Sequence, residues 1–247
     1  MQGITMDKIL EFKNVNAGYG KEQILNNLSF YVEKGQVFGI IGPNGSGKTT
    51  MFNTLLGQIK PSAGTILFDG ADITRASANA RCRMGLGRTF QVPRPFESMS
   101  LYENVLTAAV HGGSQSEHAA RDTALECLKM AGLYDKRESR AGELTLLERK
   151  RLEIARALGT RPTLLLLDEV AAGLTELEVA EMMELVAQLK ANHYTIIWIE
   201  HIIETMVGST DYLMCMAQGS CAVQGKPRSV IESKEVQRLY LGVDDDE

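Results

Sequence analysis

The 247-residue sequence predicts an α/β fold whose core is a mixed, largely parallel sheet. One observation behind this prediction is that short, uniformly apolar runs alternate with stretches of helical periodicity. Another is a glycine-rich turn that joins one apolar run to the helix after it, which is typical of strand–loop–helix units. Uniformly apolar runs of this length indicate strands that are buried on both faces.

The N-terminal part of the chain predicts antiparallel strands that lead into this core. Residues 9–38 alternate apolar and polar positions and are interrupted by Asn and Gly, as expected for short strands joined by turns. Residues 64–70 predict one more strand, which the turn-forming pair Asp69 and Gly70 closes. We therefore expect an N-terminal antiparallel β-subdomain.

A block of helices then interrupts the alternation of strands and helices. Residues 100–133 and 144–158 have helical periodicity, and Gly159 and Pro162 end the second stretch. The block predicts an inserted helical subdomain at about residues 92–150, within a single domain that takes in the whole sequence.

The C-terminal part returns to the alternating pattern. Residues 164–167 and 195–199 predict buried parallel strands, and residues 174–190 predict an amphipathic helix between them. Residues 211–224 alternate loosely and predict a terminal hairpin. A C-terminal segment of about residues 225–247 follows and ends in an acidic tail that we expect to fray.

Composition limits the classes of function. The chain is 44% hydrophobic and 23% charged, which is typical of a soluble globular protein, and no apolar run approaches the roughly 20 residues that span a bilayer. The net charge of −5 argues against a general nucleic-acid binder. Four cysteines without a C-x-x-C pair predict reduced thiols. A basic stretch predicts a solvated or partner-facing surface; its arginines are Arg81, Arg83, Arg88 and Arg94.

The most specific motif lies at residues 42–49, which match the phosphate-binding pattern G-x-x-x-x-G-K-[ST] in full. An apolar strand is predicted before it and a helix after it, whereas a chance glycine-rich turn with a stray lysine would need neither. Such a turn directs backbone N–H groups and a helix N-terminus at a phosphate. Lys48 would reach the β- and γ-phosphates, and the Thr49 hydroxyl would ligate Mg²⁺. The predicted nucleotide-binding residues here are Gly42, Pro43, Asn44, Gly45, Ser46, Gly47, Lys48, Thr49 and Thr50.

Two acids follow the apolar run 164–167, at the end of a predicted parallel strand where such sheets keep their ligands. Asp168 would hold Mg²⁺, and Glu169 would polarise the attacking water as a general base. The alternative is a pair of helix-capping acids, which the presence of the phosphate loop disfavours.

Three further residues are weaker candidates when each is taken alone. His201 follows a buried strand and could position the attacking water, or it could be a surface histidine. Gln91 could ligate Mg²⁺ or orient water, although most glutamines only occupy surfaces. Tyr19 could stack on adenine or pack on the core from a turn.

Taken in order, these residues resemble the ATP-binding subunit of an ABC transporter over about residues 9–242. The resemblance implies the P-loop NTPase fold of ABC ATPases and coupling of ATP hydrolysis to transport, with ATP and Mg²⁺ bound. It implies three catalytic residues, Glu169, His201 and Gln91, and three residues toward the metal, Thr49, Gln91 and Asp168. It also implies that the adenine stacks on Tyr19.

A narrower resemblance is to the branched-chain amino-acid import family, carried by residues 88–91, 152–158 and 171–174. The chain is similar to the longer of that family's two ATPase subunits. The resemblance implies a second, different ATPase subunit, transmembrane permease subunits and an external solute-binding protein, with no nucleic-acid partner. It implies a cytoplasmic place on the inner face of a bacterial or archaeal membrane, and it leaves urea, amides and aromatic acids open as cargo.

The chain departs from the ABC signature, which is Leu-Ser-Gly-Gly-Gln, or Leu-Ser-Tyr-Gly-Gln in this branch, and which contacts the partner subunit's nucleotide. Leu147 replaces a glycine, and would be strained if the position needs left-handed geometry. Glu148 replaces glutamine and brings a negative charge that a nearby cation would have to offset. The signature residues here are Thr145, Leu146, Leu147 and Glu148. Two further readings stay open: a soluble ABC ATPase without a membrane partner, and a mainly nucleotide-sensing subunit, which only the altered signature supports.

Overall fold

A computed structural model describes residues 7–201 and 203–241. The chain divides into two compact units. Met1–Ala78 and His193–Glu247 make the first, called here the phosphate-loop unit, and Asn79–Asn192 makes the second, the helical unit.

The phosphate-loop unit contains the antiparallel sheet that the N-terminal alternation predicts. Its strands are β1 (Lys8–Tyr19), β2 (Glu22–Glu33), β4 (Ala63–Phe68) and β5 (Ala71–Asp72), in the order β2-β1-β4-β5. β1 and β2 are single strands of 12 residues rather than several short ones. The predicted breaks are wrong because Asn14 and Asn27 adopt positive φ at register shifts, so the chain bulges there without ending the strand.

A second, mixed set of strands in the same unit confirms the predicted parallel core. β3 (Val37–Ile41) pairs in parallel with both β8 (Thr195–Ile199) and β9 (Tyr212–Ala217). β10 (Ser220–Gly225) pairs antiparallel with β9, which is the predicted hairpin. Every residue of β3 and β8 is buried, as the apolar runs require.

The described residues of this unit also form four helices: α1 (Lys48–Leu55), α7 (Ile203–Ser209), α8 (Pro227–Ile231) and α9 (Lys234–Leu241). Only α1 follows from the sequence pattern. The sequence analysis did not predict the other three; of these, α7 and α8 have only seven and five residues, which is too short for an apolar stripe to repeat. The acidic tail at residues 244–247 lies outside the described residues.

The helical unit contains two parallel strands and most of the helices. β6 (Leu86–Arg88) pairs with β7 (Leu164–Asp168), and all five residues of β7 are buried. The helices are α2 (Ala78–Arg83), α3 (Leu101–His111), α4 (Glu117–Met130), α5 (Leu146–Gly159) and α6 (Glu176–Ala191). Among the described residues, no helix combines the length and the apolar character that crossing a membrane requires.

Hydroxyl caps set where the helices of this unit begin. Ser100, Ser116, Thr145 and Thr175 each accept a hydrogen bond from the backbone N–H three residues later. This moves two predicted boundaries, because α5 begins at Leu146 rather than 144 and α6 at Glu176 rather than 174.

The basic stretch is not a continuous solvated face. Arg81 is 1% exposed, and the Arg88 side chain forms an ion pair with Asp168. Only Arg83 and Arg94 are exposed, so the expectation is wrong for two of the four arginines. The cause is that α2 and β6, which the sequence analysis did not predict, carry Arg81 and Arg88 into the interior of this unit.

All four cysteines are free thiols, as their spacing predicts. Burial raises the pKa of Cys127 to about 12 and that of Cys215 to about 11. Both thiols are therefore protonated, and unreactive as nucleophiles, at neutral pH.

The turn between β9 and β10 lies against the N-terminal sheet. Gln218 and Gly219 have φ of 47° and 78°, the left-handed pair of a two-residue hairpin turn. The Gly219 carbonyl accepts the Asn26 N–H at 2.9 Å, and its N–H donates to the Ser46 carbonyl at 3.0 Å. A Cβ at Gly219 would lie 1.7 Å from the Ile24 carbonyl oxygen, so the turn can approach this closely only with glycine.

A pair of glycine substitutions tests this close approach. Gly70→Ala is the matched control, because Gly70 has φ of 77° and a Cβ there would meet nothing within 4 Å. Gly70→Ala should lower the free energy of unfolding by about 1–2 kcal/mol from backbone strain alone. Gly219→Ala carries the same strain and a backbone collision, so we expect a loss of more than about 3 kcal/mol in urea denaturation. Equal losses for the two variants would contradict the packing described.

Candidate nucleotide site

The loop between β3 and α1 has the conformation that its glycines permit. Gly42, Gly45 and Gly47 have φ of 154°, 79° and 101°, a region that L side chains rarely adopt. A Cβ at Gly42 would also lie 2.4 Å from the Met216 carbonyl oxygen. The loop conformation therefore depends on glycine at these positions.

Lys48 lies within the curve of this loop. Its side chain is buried, and Nζ donates to the Gly42 carbonyl at 2.7 Å and to the Pro43 carbonyl at 3.1 Å. Thr49 is exposed in the first turn of α1, whereas Thr50 is buried. The N-cap of α1 is Gly47, which has no side chain and therefore caps none of the first-turn N–H groups of the helix.

Ser46 tests whether the loop fits a phosphate. Its Oγ is buried and has no hydrogen-bond partner among the described residues. A buried hydroxyl without a partner costs about 1–3 kcal/mol, so such a group in a native loop needs an explanation. A phosphate oxygen would supply the missing partner, and the loop therefore fits the group that its sequence pattern predicts.

Tyr19 and His201 both present their side chains to solvent in this unit. Tyr19 ends β1, is 52% exposed, and its hydroxyl accepts a hydrogen bond from the Asn53 amide of α1 at 3.2 Å. An exposed ring of this kind could stack on a base. His201 follows β8 and is exposed, whereas the preceding Glu200 is buried and accepts a hydrogen bond from the Trp198 indole at 3.3 Å.

In the helical unit, Asp168 is buried at the end of β7 and pairs with Arg88, with Nη2 and Oδ2 3.0 Å apart. Burial lowers the pKa of the Arg88 guanidinium, and the Asp168 carboxylate opposes that shift. The backbone N–H of Asp168 also donates to the Thr89 hydroxyl at 3.2 Å. The Arg88 partnership was missed from the sequence, because nothing local links residues 80 positions apart.

Glu169 combines a strained backbone with two side-chain contacts. Its φ is 48°, which is uncommon for a residue other than glycine or asparagine and is a feature that clusters at functional sites. The Gln91 amide donates to Glu169 Oε2 at 2.5 Å, so the structure brings these two predicted residues together. The Lys150 ammonium, on α5, donates to the Glu169 carbonyl at 3.0 Å.

Lys150 is a second contact that the sequence analysis missed. It is only 4% exposed although it carries a charge. The signal was its position, three residues after Leu147 and four before Ile154, which places it on the buried face of α5.

The altered signature forms the first turn of α5. Thr145 caps the helix, and Glu148 completes a reciprocal capping box with it. Leu147 is buried and lies in the helix, not at one of the positive-φ positions, so the strain that left-handed geometry would cause is not present. Leu146, by contrast, is 42% exposed.

Glu148 has the cation that its charge requires. Its carboxylate pairs with the Lys136 ammonium and also accepts the Thr145 N–H at 3.0 Å. The hydrogen bond from the Lys136 ammonium is the main reason that the pKa of Glu148 is lowered. The carboxylate is therefore ionised and paired at neutral pH. Thr175 likewise caps its helix in a capping box with Glu178.

Comparison with known proteins identifies the family. Residues 25–172 match the family model described as ABC transporter, which is more than half of the chain. A probable branched-chain amino acid transport ATP-binding protein of Archaeoglobus fulgidus is 34% identical, over 97% of this chain and 98% of that protein. The high-affinity branched-chain amino acid transport ATP-binding protein BraF of Pseudomonas aeruginosa is 34% identical over 95% and 98%.

A solved structure leads to the same family. The crystal structure of a nucleotide-free ATP-binding cassette from an ABC transporter is 30% identical, with a TM-score of 0.87 over 96% of this chain and all of that one. The chain thus has the fold of an ATP-binding cassette, as the resemblance implies. The chain therefore belongs to the ABC transporter family and is an ATPase of that family.

Proposed function

We propose that this ATPase is the ATP-hydrolysing subunit of an importer for branched-chain amino acids or related small polar or amide solutes. The observation that carries the proposal is the near-complete coverage of relatives named for branched-chain amino acid transport, at 34% identity. The conformation of the phosphate loop supports nucleotide binding. The relatives support the role in transport.

The phosphate-loop unit would bind ATP. The Lys48 ammonium is already held within the loop, close to where the β- and γ-phosphates would lie, and the Ser46 hydroxyl lacks a partner among the described residues. The exposed Tyr19 ring would stack on adenine. His201, exposed after β8, would position the attacking water.

The helical unit would supply the chemistry of hydrolysis. Glu169 would polarise the attacking water. Gln91, whose amide donates to the Glu169 carboxylate, would orient that water. The Gln91 amide and the Asp168 carboxylate carry oxygen atoms of the kind that Mg²⁺ prefers, as does the Thr49 hydroxyl of the phosphate-loop unit. Bound Mg²⁺ would neutralise charge on the phosphates in the transition state.

The expected partners are a second, different ATPase subunit and transmembrane permease subunits, supplied with solute by an external binding protein. The segment around Gln91, residues 90–96, supports a contact with the permeases. Phe90, Val92 and Phe96 are 42%, 66% and 46% exposed, an unusual amount of apolar surface for one short segment. The ATPase would then lie on the inner face of the membrane, while the solute would be selected by the other subunits.

The altered signature supports a working subunit more than a sensor. The Lys136–Glu148 pair and the capping box keep the first turn of α5 ordered and offset the carboxylate charge. A heterodimer accommodates this departure, because the altered signature would contact only the companion subunit's nucleotide. The nucleotide bound to this chain would be contacted by the companion's own signature.

Glu169→Gln tests the assignment of the general base. The variant keeps size and hydrogen bonding but cannot accept a proton, so ATP turnover should fall by at least about 100-fold while ATP affinity stays within about twofold. Glu176→Gln is the control, since Glu176 is an exposed acid in the first turn of α6. Turnover that survives in Glu169→Gln would show that another group is the base.

Lys48→Ala should lose ATP affinity itself, as measured by nucleotide titration.

A double-mutant cycle tests the offset of the Glu148 charge. Lys136→Met leaves that carboxylate without its ammonium partner, so turnover in a mixture with the companion ATPase should fall severalfold. Glu148→Gln keeps the capping box and removes the charge, and should restore turnover when combined with Lys136→Met. If Lys136→Met alone hydrolyses ATP at the unaltered rate, the ion pair has no part in the site.

The importer itself is tested with the assembled complex. We expect the chain to co-purify with its permease subunits and, in vesicles, its ATP turnover to rise severalfold when the binding protein is loaded with leucine, isoleucine or valine. Stimulation by amides or urea instead would reassign the solute. Full activity of the chain alone, with no membrane partner retained, would favour the soluble ATPase.

A further inference from the structure

The phosphate loop contacts α9, the most C-terminal helix among the described residues. α9 is amphipathic, and Val236, which is 2% exposed, anchors it within the phosphate-loop unit. Tyr240 lies four residues later, on the same face of the helix, and is itself partly buried. The docking of Val236 therefore carries the Tyr240 side chain inward, toward β3 and the loop.

The Tyr240 hydroxyl contacts the first residue of that loop. The Gly42 N–H donates to Tyr240 Oη at 2.7 Å, across 198 residues of sequence. The Gly42 carbonyl accepts the Lys48 ammonium, also at 2.7 Å. Gly42 is thus fixed on one side by α9 and on the other by the lysine that the phosphate pattern requires.

The surroundings keep this hydroxyl protonated and in place. Burial raises the pKa of Tyr240 to about 12, with a smaller contribution from Cys215, whereas the Gly42 hydrogen bond lowers it. Cys215 lies on β9 directly beside Ile41, the last residue of β3. Tyr240 therefore contacts the loop where strand β3 ends and the phosphate-binding turn begins.

Gly42 has little freedom to compensate if this contact is lost. Its φ of 154° and the closeness of the Met216 carbonyl leave the residue tightly confined. A phosphate loop binds through N–H groups that are already oriented before the ligand arrives. Loss of the hydroxyl would leave a backbone N–H without its acceptor, and the loop would relax to find another.

We propose that Tyr240 is a positioning residue for the phosphate loop, so that the docking of α9 sets the affinity for nucleotide. The proposal rests on the proposed function, in that the loop is taken to bind ATP. It adds that a side chain near the C-terminal end of the described chain, outside the nucleotide motifs, is part of the site. Any partner or modification that displaces α9 would then weaken nucleotide binding without touching the loop.

Tyr240→Phe is the direct test, since it removes one oxygen and keeps the ring that packs with α9. Tyr212→Phe is the matched control, because Tyr212 is in the same unit and stacks its ring on Phe38 with centroids 5.6 Å apart. We expect the dissociation constants for ATP and ADP, measured by calorimetry, to rise about tenfold in Tyr240→Phe. In Tyr212→Phe they should stay within about twofold of the unaltered chain.

Hydrogen exchange of the nucleotide-free protein separates positioning from mere stability. In Tyr240→Phe the amides of residues 41–47 should exchange faster, while those of β1 and β2 exchange as before. A lower melting temperature with unchanged dissociation constants would mean that Tyr240 only stabilises α9, and would overturn the proposal. Failure of the unaltered chain to bind ATP would overturn the proposed function, and this proposal with it.

Discussion

The buried ammonium of Lys48 is the interaction on which the nucleotide site depends. It bonds two carbonyls of the loop that precedes it, so the loop must curve around the side chain, and that curvature requires glycine at Gly42, Gly45 and Gly47. The strand before the loop is confined in turn, because β3 lies between β8 and β9 and has no solvent-exposed residue. A charge buried at this depth needs hydrogen-bond acceptors at close range, and the loop backbone supplies them.

The acids at the end of β7, in the helical unit, also have partners at close range, and here both side-chain and backbone groups take part. Asp168 is buried and has the Arg88 guanidinium, whereas Glu169 has the Gln91 amide at its carboxylate and Lys150 at its carbonyl. These contacts hold Glu169 in a backbone conformation that it would otherwise avoid. Arg88 and Gln91 are three residues apart, so movement of this one segment would change the surroundings of both acids together.

The parts of the site that are local in sequence could be predicted, and the parts that need distant partners could not. The phosphate loop is contained in consecutive residues, and the turn at Asp69 and Gly70 has the positive φ values that its sequence predicts. Arg88 and Tyr240 bond residues 80 and 198 positions away, which no local pattern encodes. The sequence alone could not decide whether Leu147 needs left-handed geometry; the structure places it in the first turn of a helix that Thr145 caps.

The order of the strands has a consequence for how the protein is made. β3 pairs on one side with β8 and on the other with β9, and about 160 residues separate Val37 from its neighbour Ile196. At a synthesis rate of 5–20 residues per second, the ribosome needs roughly 10–30 s to make the strands that cover these two edges. During that interval an entirely apolar strand has neither of its final neighbours. Until β8 and β9 have been made, the nascent chain therefore exposes the edges of β3, the strand that precedes the phosphate loop, to aggregation.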